Sequence, residues 1–367
     1  MKAAFKFHNR FSTILCEGTN VLSKPLNFIV DSITHVALGA IVGEAIAGKK
    51  LGKRALFLGA IAQSIPDIDF LAAFWLSPAD NLLAHRGFTH SILFGIMATG
   101  AMAVVAQRLH RAHQIRYREW VIFFSFEIFL HLLLDVCNAY GVGLLEPFST
   151  KRFSLHVLYV ADPFYSLWLG IALAALMITD SKNHHRRKWI YFGLIASSGY
   201  FLHAIANKIK ITRRVSASIS ATRTDHTRIL TTPTPLNSWL WFIAVESDSG
   251  FYVTHRSTFD RESKPFDYYY FPKQDSLLRP FVHQHDVVQL LRFSQGYYTV
   301  EQKKDGAIIF NDLRFGQITG WYDPHADFVF HYYINDPKES VLVIQRGRFS
   351  NWNTETFGAM IERIKGN

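Results

Sequence analysis

The segment EIFLHLLLDV, residues 127–136, places three ionisable side chains in an otherwise apolar stretch. Glu127, His131 and Asp135 follow one another every fourth residue, so an α-helix places all three on one face. A charged side chain at the centre of a bilayer costs at least ~2.5–3.5 kcal/mol, so this face is not expected to point at lipid. The segment therefore predicts a membrane helix whose polar face contacts protein, water or a metal ion.

Other apolar runs before residue 207 indicate that this helix belongs to a membrane domain. The six runs are 33–47, 55–76, 92–106, 120–137, 157–178 and 189–206. A helix needs about 20 residues to span ~30 Å of hydrocarbon, and all runs but the first and third reach or approach that length. We therefore predict about five to six membrane helices.

Basic residues alternate between the loops that join these runs. Loops 48–54, 107–118 and 181–188 each contain four Lys or Arg, whereas loops 77–91 and 138–156 contain one and two. Because Lys and Arg are enriched in cytoplasmic loops, the pattern predicts a multi-pass protein of the bacterial inner (cytoplasmic) membrane. The less basic loops and the chain after residue 207 are then expected on the outer (periplasmic) side.

The chain after residue 207 has the texture of a soluble domain. From Ile211 the segment RVSASISATRT alternates small, polar and branched residues, and a hairpin is predicted around Ser249-Gly250. Short β-branched and aromatic runs follow at 286–293, 297–302, 306–313, 327–335 and 340–347, and TETFGAMIERIKGN predicts a closing amphipathic helix. The predicted fold is mainly α, a polytopic helical membrane bundle followed by a soluble β-rich or α+β domain. The expected divisions are an N-terminal tail (1–30), a helical membrane domain (31–207) and a C-terminal domain (208–367).

The net charge of +10 does not indicate a nucleic-acid partner. Much of the excess lies in short basic clusters between apolar runs, where it acts as a topology signal and contacts lipid headgroups. Two cysteines, Cys16 and Cys137, are too few for a disulfide framework or a thiolate metal site.

Paired carboxylates after Pro66 favour a metal site within the apolar half. Asp67 and Asp69 lie close enough to raise each other's pKa unless a cation neutralises them. The proline interrupts the helix, and non-helical backbone at membrane depth is tolerated only where it lines a cavity. One aspartate could instead cap a helix, and His131 with Asp135 could be a hydrogen bond that ties helices together.

On the predicted topology, several polar groups lie near the same outer edge of the bilayer. They are His35, the Asp67–Asp69 pair, His85 with His90, and His131 with Asp135. They can converge without moving a charge across the membrane. Imidazole and carboxylate ligands suit Zn²⁺, and carboxylate-rich sites also admit Mg²⁺ or Mn²⁺.

The ordered motifs of this region resemble a known family. THVALG, PDID, HRGFTHS, HLLLD followed by GVGLLEPFS, and ADPF occur in that order over roughly residues 31–180. In this combination the chain resembles the YdjM-like family of membrane-bound, metal-dependent hydrolases. More distantly it is similar to the zinc-dependent phospholipase C and single-strand nuclease superfamily, whose helical enzymes hold clustered zinc ions with His and Asp. The TPTPLNSWLW segment is similar to the start of an extra C-terminal domain that some relatives carry.

The resemblance implies a set of metal ligands and a number of ions. The implied ligands are His35, Asp67, Asp69, His85, His90, His131 and Asp135. The chain departs from the soluble enzymes, since it lacks their N-terminal ligand and their later His/Glu motif. We therefore expect one or two ions, most readily Zn²⁺, rather than a cluster of three.

The expected function is metal-dependent hydrolysis of a phospholipid or other lipid-linked phosphoester at the outer face of the membrane. Asp67 or Asp69 is the expected general base, and Arg86 is expected to bind a phosphate oxygen because a guanidinium matches that geometry. Arg86 could equally be a headgroup contact or a loop salt bridge. The alternative function is a non-enzymatic metal-binding transporter or sensor in the membrane.

Overall fold

The computed structural model describes residues 23–222, 227–334 and 352–366, and its N-terminal half is helical. The α-helices of this half are α1 (Ser23–Leu51), α2 (Arg54–Ser64), α3 (Pro78–Ala84), α4 (Ile92–Leu109), α5 (Tyr117–Val136), α6 (Pro163–Ile178) and α7 (Arg186–Thr222). Short 3₁₀ helices cover Pro66–Phe74, Phe88–His90 and Arg111–His113. The predicted mainly helical N-terminal region is therefore confirmed.

Fewer candidate membrane spans are found among the described residues than the sequence predicted. Within the described ranges, α4 and α7 are long and apolar enough to cross a membrane. Helix α2 and the following 3₁₀ helix form a third candidate if the pair, bent by 54°, is one span. The apolar sequence of α5 contains several charged residues, although the helix itself is continuous. Helix α6 has only 16 residues, because it begins at Pro163 rather than at the start of its apolar run. The predicted count of about five to six is therefore not confirmed.

Glycines allow α1 and α2 to pack in backbone contact. A Cβ atom at Gly59 would overlap the carbonyl oxygen of Gly39, so only a residue without a side chain permits this approach. Small residues at helix crossings have the same effect in other membrane proteins. The close crossing brings His35 of α1 to Gln63 of α2, with 3.3 Å between the His35 Nδ1 and Gln63 Oε1 atoms.

The C-terminal half contains two antiparallel sheets. The first has the order β1 (Ile229–Pro233), β2 (Leu240–Ser247), β3 (Gly250–Ser257) and β4 (Tyr269–Pro272). The second has the order β5 (Tyr298–Gln302), β6 (Ile308–Gln317) and β7 (Phe328–Tyr333). The helical elements are a 3₁₀ helix (Asp275–Phe281), α8 (His285–Ser294) and α9 (Thr354–Ile364). The predicted β-rich C-terminal region, the β2–β3 hairpin and the closing helix are confirmed.

Two segments that were predicted as β-like are helical. The run 286–293 forms α8, in which the buried Val287, Leu290 and Phe293 recur every third residue, a helical rather than an alternating spacing. The segment after Ile211 continues α7, whose buried Val215 and Ile219 are one helical turn apart. Helix α7 thus passes the expected boundary at residue 207. Residues 1–22 of the predicted tail and the predicted strand 340–347 lie outside the described residues, and α1 begins within that tail.

The two halves pack against each other. The Leu83 side chain of α3 is buried in a core that includes Leu290 and Phe293 of α8. Elsewhere in the interface, the rings of Phe164 and Trp239 are 4.8 Å apart between their centroids. The C-terminal half therefore covers the loop between α3 and α4, which contains the predicted site residues His85, Arg86 and His90.

Candidate metal centre

Four of the predicted ligands converge at one point between the helices. They are Asp67, His90, His131 and Asp135, and each offers one ligand atom within 4.8 Å of the others. The Nε2 atom of His90 lies 3.1 Å from Nε2 of His131, 3.0 Å from Oδ2 of Asp135 and 3.5 Å from Oδ1 of Asp67. The Nε2 atom of His131 lies 3.5 Å from Asp135 Oδ2 and 3.7 Å from Asp67 Oδ1.

Local structure explains how three chain segments supply these atoms. His131 and Asp135 are one turn apart near the end of α5. Pro66 starts a 3₁₀ helix that contains Asp67, after the bend at the end of α2. His90 ends the 3₁₀ helix just before Ser91, whose hydroxyl accepts a hydrogen bond from the Phe94 amide and caps α4. Helix ends and their caps thus aim the side chains inward.

The other three predicted ligands contact this group from outside. His35 Nε2 lies 3.1 Å from the second oxygen of Asp135, Oδ1. Asp69 Oδ2 lies 3.4 Å from Nδ1 of His90, while Asp69 Oδ1 lies 3.5 Å from Nδ1 of His85. Residues in such positions typically fix the orientation and basicity of the side chains that bind a metal.

Arg86, the predicted phosphate contact, is buried beside the group. Its Nε atom lies 3.3 Å from Oδ2 of Asp135, and the residue is 1% exposed. Its φ angle of 58° is unusual for a residue with a side chain. The Asp69 carboxylate accepts a 2.6 Å hydrogen bond from the Arg86 amide. The described geometry therefore gives Arg86 a carboxylate partner, and its role toward a phosphate stays a prediction.

The charges at the site favour a bound cation. Three carboxylates (Asp67, Asp69 and Asp135) and one guanidinium (Arg86) give a net charge of −2 when the histidines are neutral. Burial by itself lowers the pKa of His90, yet the nearby Asp135 and Asp67 carboxylates raise that pKa to about 9. The group thus stabilises positive charge even where solvent is excluded.

The spacing of the donor atoms is compatible with a bound metal ion. Bonds of ~2.0–2.1 Å in a tetrahedral arrangement separate neighbouring ligand atoms by about 3.4 Å. The distances between the four donor atoms given above range from 3.0 to 3.7 Å. Two imidazole nitrogens and two carboxylate oxygens are also a donor set that zinc accepts. These residues could therefore hold a metal ion.

The His/Asp group is enclosed by protein, and a small cavity lies beside it. His90, His131 and Asp135 are at most 1% exposed, whereas the Asp67 side chain is 15% exposed. A cavity of about 20 Å³ borders Asp135 and His35 and is lined by Thr34, Asn138, Asp162 and Ser166, among others. A volume of this size is enough for one water molecule.

Several residues at the site were not identified from the sequence. Gln63 contacts His35 and donates a hydrogen bond to Glu127 over 3.3 Å. The Arg152 guanidinium donates to the carbonyl groups of Leu83 (3.0 Å) and His85 (2.8 Å) and so holds the loop before His90. Neither belongs to a motif with known ligand spacing, so no sequence signal distinguishes them from ordinary polar residues.

The histidines of the C-terminal half do not join the group. His285, in the segment VHQHD, lies 2.7 Å from Asp80 of α3 through its Nε2 atom, in an exposed pair across the interface. His325 packs by its ring against Tyr269 and Phe271. Among the described residues, these two histidines make an ion-pair contact and ring contacts, and neither lies in the His/Asp group.

Comparison with known proteins identifies the family. The family model described as "YdjM inner membrane protein" matches residues 30–211. The chain is 35% identical to Inner membrane protein YbcI of Escherichia coli (strain K12) over 123 residues, which are 33% of this chain and 69% of YbcI. It is 27% identical to Uncharacterized protein YfhP of Bacillus subtilis (strain 168) over 305 residues, 78% of this chain and 87% of YfhP. No solved structure matches. The matched residues include the whole His/Asp group, and the chain belongs to the YdjM inner membrane protein family.

Proposed function

We propose that this protein is a metal-dependent hydrolase of the inner membrane that cleaves a phospholipid or another lipid-linked phosphoester. The observation that carries the proposal is the convergence of two imidazole nitrogens and two carboxylate oxygens, from Asp67, His90, His131 and Asp135, in a buried site of negative charge. In ion pairs that only stabilise a fold, positive and negative charges are usually equal in number. In this group the three carboxylates outnumber the single guanidinium.

The proposed metal ligands are these four residues, which would hold one ion. Zn²⁺ is the proposed ion because of the mixed imidazole and carboxylate donors, with Mg²⁺ or Mn²⁺ as alternatives. His35, Asp69 and His85 are proposed to orient the ligands rather than to bind the ion, since each contacts a ligand or its neighbour from outside. A divalent ion at such a site supplies Lewis-acid activation of water and of the ester that is cleaved.

Two residues of the chain have proposed roles toward substrate. Asp67 is the most exposed of the four ligands, so its carboxylate, when it does not bind the ion, is best placed to accept a proton from an attacking water. Arg86 balances part of the charge of Asp135 in the described structure. We retain the proposal that its guanidinium binds a phosphate oxygen once substrate occupies the site.

The packing of the helix ends supports the proposed orientation. Lys50 in the last turn of α1 pairs with Glu119 at the start of α5 over 2.7 Å, and the Lys53 ammonium donates to the carbonyl of Met177 at the end of α6. The three basic loops therefore lie together at one end of the bundle, and the His/Asp group lies toward the other end. We propose that the basic end is cytoplasmic and that the site and the C-terminal domain are periplasmic.

The proposal is tested by metal content followed by activity. The protein is purified in detergent and its zinc, manganese and magnesium are measured by elemental analysis, together with those of His131→Ala and Asp67→Ala. His325→Ala, a histidine substitution far from the group, is the matched control. We expect about one ion per chain in the wild type and in His325→Ala, and loss of the ion in the other two variants. Equal metal in all four proteins contradicts the proposed site.

Hydrolysis then separates an enzyme from a transporter or sensor. Phosphatidyl and lipid-pyrophosphate substrates in mixed micelles are incubated with the loaded protein and with protein stripped by a chelator. We expect release of product that stops on chelation and returns when the metal is restored. Metal that is retained without turnover of either substrate class favours the alternative of a non-enzymatic metal-binding transporter or sensor.

A further inference from the structure

The loop that contains Arg86 lies between the His/Asp group and the C-terminal half. On one side, the Arg86 amide donates to Asp69 and its Nε atom faces Asp135. On the other side, Leu83 is buried among apolar residues of α8 and the second sheet. The segment from Leu83 at the end of α3 to Arg86 in the loop is therefore in contact with both halves of the protein.

The Tyr140 side chain connects the Arg86 loop to the C-terminal half. The Arg86 guanidinium carbon lies 5.1 Å from the centre of the Tyr140 ring, and the His85 ring meets the same ring edge-on at 5.8 Å. The opposite neighbours of Tyr140 belong to the second sheet, where Phe315 and Phe330 have ring centroids 4.8 and 5.8 Å away. A cation over an aromatic face and offset aromatic pairs are both attractive, so the ring is held from two sides.

Backbone contacts strengthen the same connection. The buried Arg314 of β6 donates to the Tyr140 carbonyl over 3.3 Å. Phe315, the next residue of β6, stacks on Phe330 of β7 with 3.9 Å between the ring centroids, so the two rings that contact Tyr140 also pack on each other. The Arg86 carbonyl accepts a hydrogen bond from the Gly143 amide over 2.9 Å. The segment 140–143 therefore contacts Arg86 through both its side chain and its backbone.

The conformation of Arg86 shows why support is needed. A residue with a side chain at a φ of 58° is strained, and such strain persists only where the surroundings hold it. The amide contact with Asp69, the carbonyl contacts with Gly143 and Arg152, and the ring contact with Tyr140 are among its restraints. With the restraint from Tyr140 removed, Arg86 is expected to relax, and Asp135 loses a fixed partner.

We propose that the C-terminal domain is a positioning element of the metal site, and that it acts through Tyr140 on Arg86 and thereby on Asp135. The domain thus sets the affinity of the group for its metal ion rather than serving as a separate module. The proposal rests on the proposed function in one respect, since it takes the His/Asp group to bind a divalent cation. Residues that orient metal ligands typically change metal affinity by about 10- to 100-fold when they are substituted.

The first measurement is the zinc dissociation constant of the full-length protein in detergent, by competition with a chromophoric chelator. Tyr140→Leu removes the ring, and we expect zinc affinity to fall by about tenfold. Tyr140→Phe keeps both ring contacts, and we expect an affinity within about threefold of the wild type. Trp239→Leu is the matched control, because it removes the aromatic contact with Phe164 across the same interface and leaves Tyr140 intact.

A second measurement follows the loop directly and needs no metal. Hydrogen–deuterium exchange of residues 84–91 is compared in the wild type, Tyr140→Leu and Phe315→Leu, with strand β2 as the internal reference for folding. We expect faster exchange in the loop of both variants and unchanged exchange in β2. Phe315→Leu tests the path from the C-terminal side, since Phe315 contacts Tyr140 and is remote from the ligands.

The results separate this inference from the proposed function. Unchanged zinc affinity and loop exchange in Tyr140→Leu overturn the inference and leave the proposed metal site standing. An equal loss of affinity in Trp239→Leu also overturns it, since any weakening of the interface would then suffice. A wild-type protein that binds no zinc contradicts the proposed function, and loop exchange alone then decides whether the C-terminal domain positions Arg86.

Discussion

Each half of the molecule contains a buried carboxylate group, and the two are balanced in opposite ways. In the C-terminal half, Asp260 lies within 3.3 Å of cationic atoms of Arg256, Lys264 and Arg363, so three cations surround one carboxylate. In the membrane half, three carboxylates (Asp67, Asp69 and Asp135) surround the His90 imidazole, and the Arg86 guanidinium contacts Asp135. Buried carboxylates are therefore common to both halves, but cations outnumber the carboxylate around Asp260, whereas carboxylates outnumber the guanidinium at the His/Asp group.

Two histidines, the half-buried His255 and the buried His90, report the same contrast. Burial lowers the pKa of His255, the nearby Arg363 cation lowers it further, and the value is about 3. At His90, burial also lowers the pKa, but carboxylates reverse the effect and the value is about 9. The comparison teaches that the sign of the neighbouring charge, rather than burial, distinguishes a candidate cation site from a structural network.

The largest expected effect is a loss of stability when the ion-pair network around Asp260 is broken. Asp260→Asn leaves the guanidinium of Arg256 buried without its counter-charge, and we expect a loss of about 3–5 kcal/mol in the free energy of unfolding. Asp67→Asn removes one of several like charges, and we expect a change below about 1 kcal/mol in metal-free protein. Chemical unfolding of both variants, followed by circular dichroism in detergent, measures the difference. Equal destabilisation would show that the two groups are alike.

The second prediction concerns the residues around the proposed ligands. His35→Ala removes a contact with Asp135 but none of the four converging ligand atoms, and we expect zinc affinity to fall by about tenfold. His90→Ala removes a ligand, and we expect a loss of about 100-fold, since four ligands share ~10–16 kcal/mol in typical structural zinc sites. Chelator competition measures both values. A larger loss in His35→Ala than in His90→Ala would exchange the two assigned roles.

A smaller effect is expected from acid on the C-terminal half. The pKa of His255 lies below its ordinary value near 6.5, so the unfolded chain takes up the proton first. The stabilising contribution is complete above about pH 6.5 and is lost as the pH falls toward 3. We expect this loss to lower the free energy of unfolding by about 1–2 kcal/mol. The loss is no larger because the His255 ring is only half-buried. His255→Gln should flatten the pH dependence of unfolding over that range, and an unchanged slope would assign it to other groups.

The smallest expected effect is at the exposed pair that joins the halves. His285 and Asp80 are 2.7 Å apart, but the histidine is largely exposed. Such pairs contribute at most about 1 kcal/mol, so Asp80→Asn should change the free energy of unfolding by no more than that and leave zinc affinity unchanged within error. A clear loss of zinc affinity in this variant would show that the Asp80–His285 pair, rather than Tyr140, couples the C-terminal half to the metal site.

Much of the architecture could be predicted from the sequence because its signals are local. Apolar runs and basic loops indicated the helical membrane half, and turn residues indicated the β2–β3 hairpin. The strand predicted at 286–293 was wrong, since a short apolar run fits either period and only packing selects the helix. The predicted span count was not confirmed, since α5 contains charged residues and α6 begins only at Pro163.

The sequence by itself determined which residue types must meet. The cost of placing Glu127, His131 and Asp135 in lipid, together with their helical spacing, required a shared polar site. Only the tertiary structure decided which residues lie at the centre of the site. That depends on where the end of α2, the start of α4 and the end of α5 lie relative to one another. It brings four of the seven predicted ligands together and leaves His35, Asp69 and His85 around them. It also places Tyr140 between Arg86 and the second sheet, a contact between distant segments that no local pattern encodes.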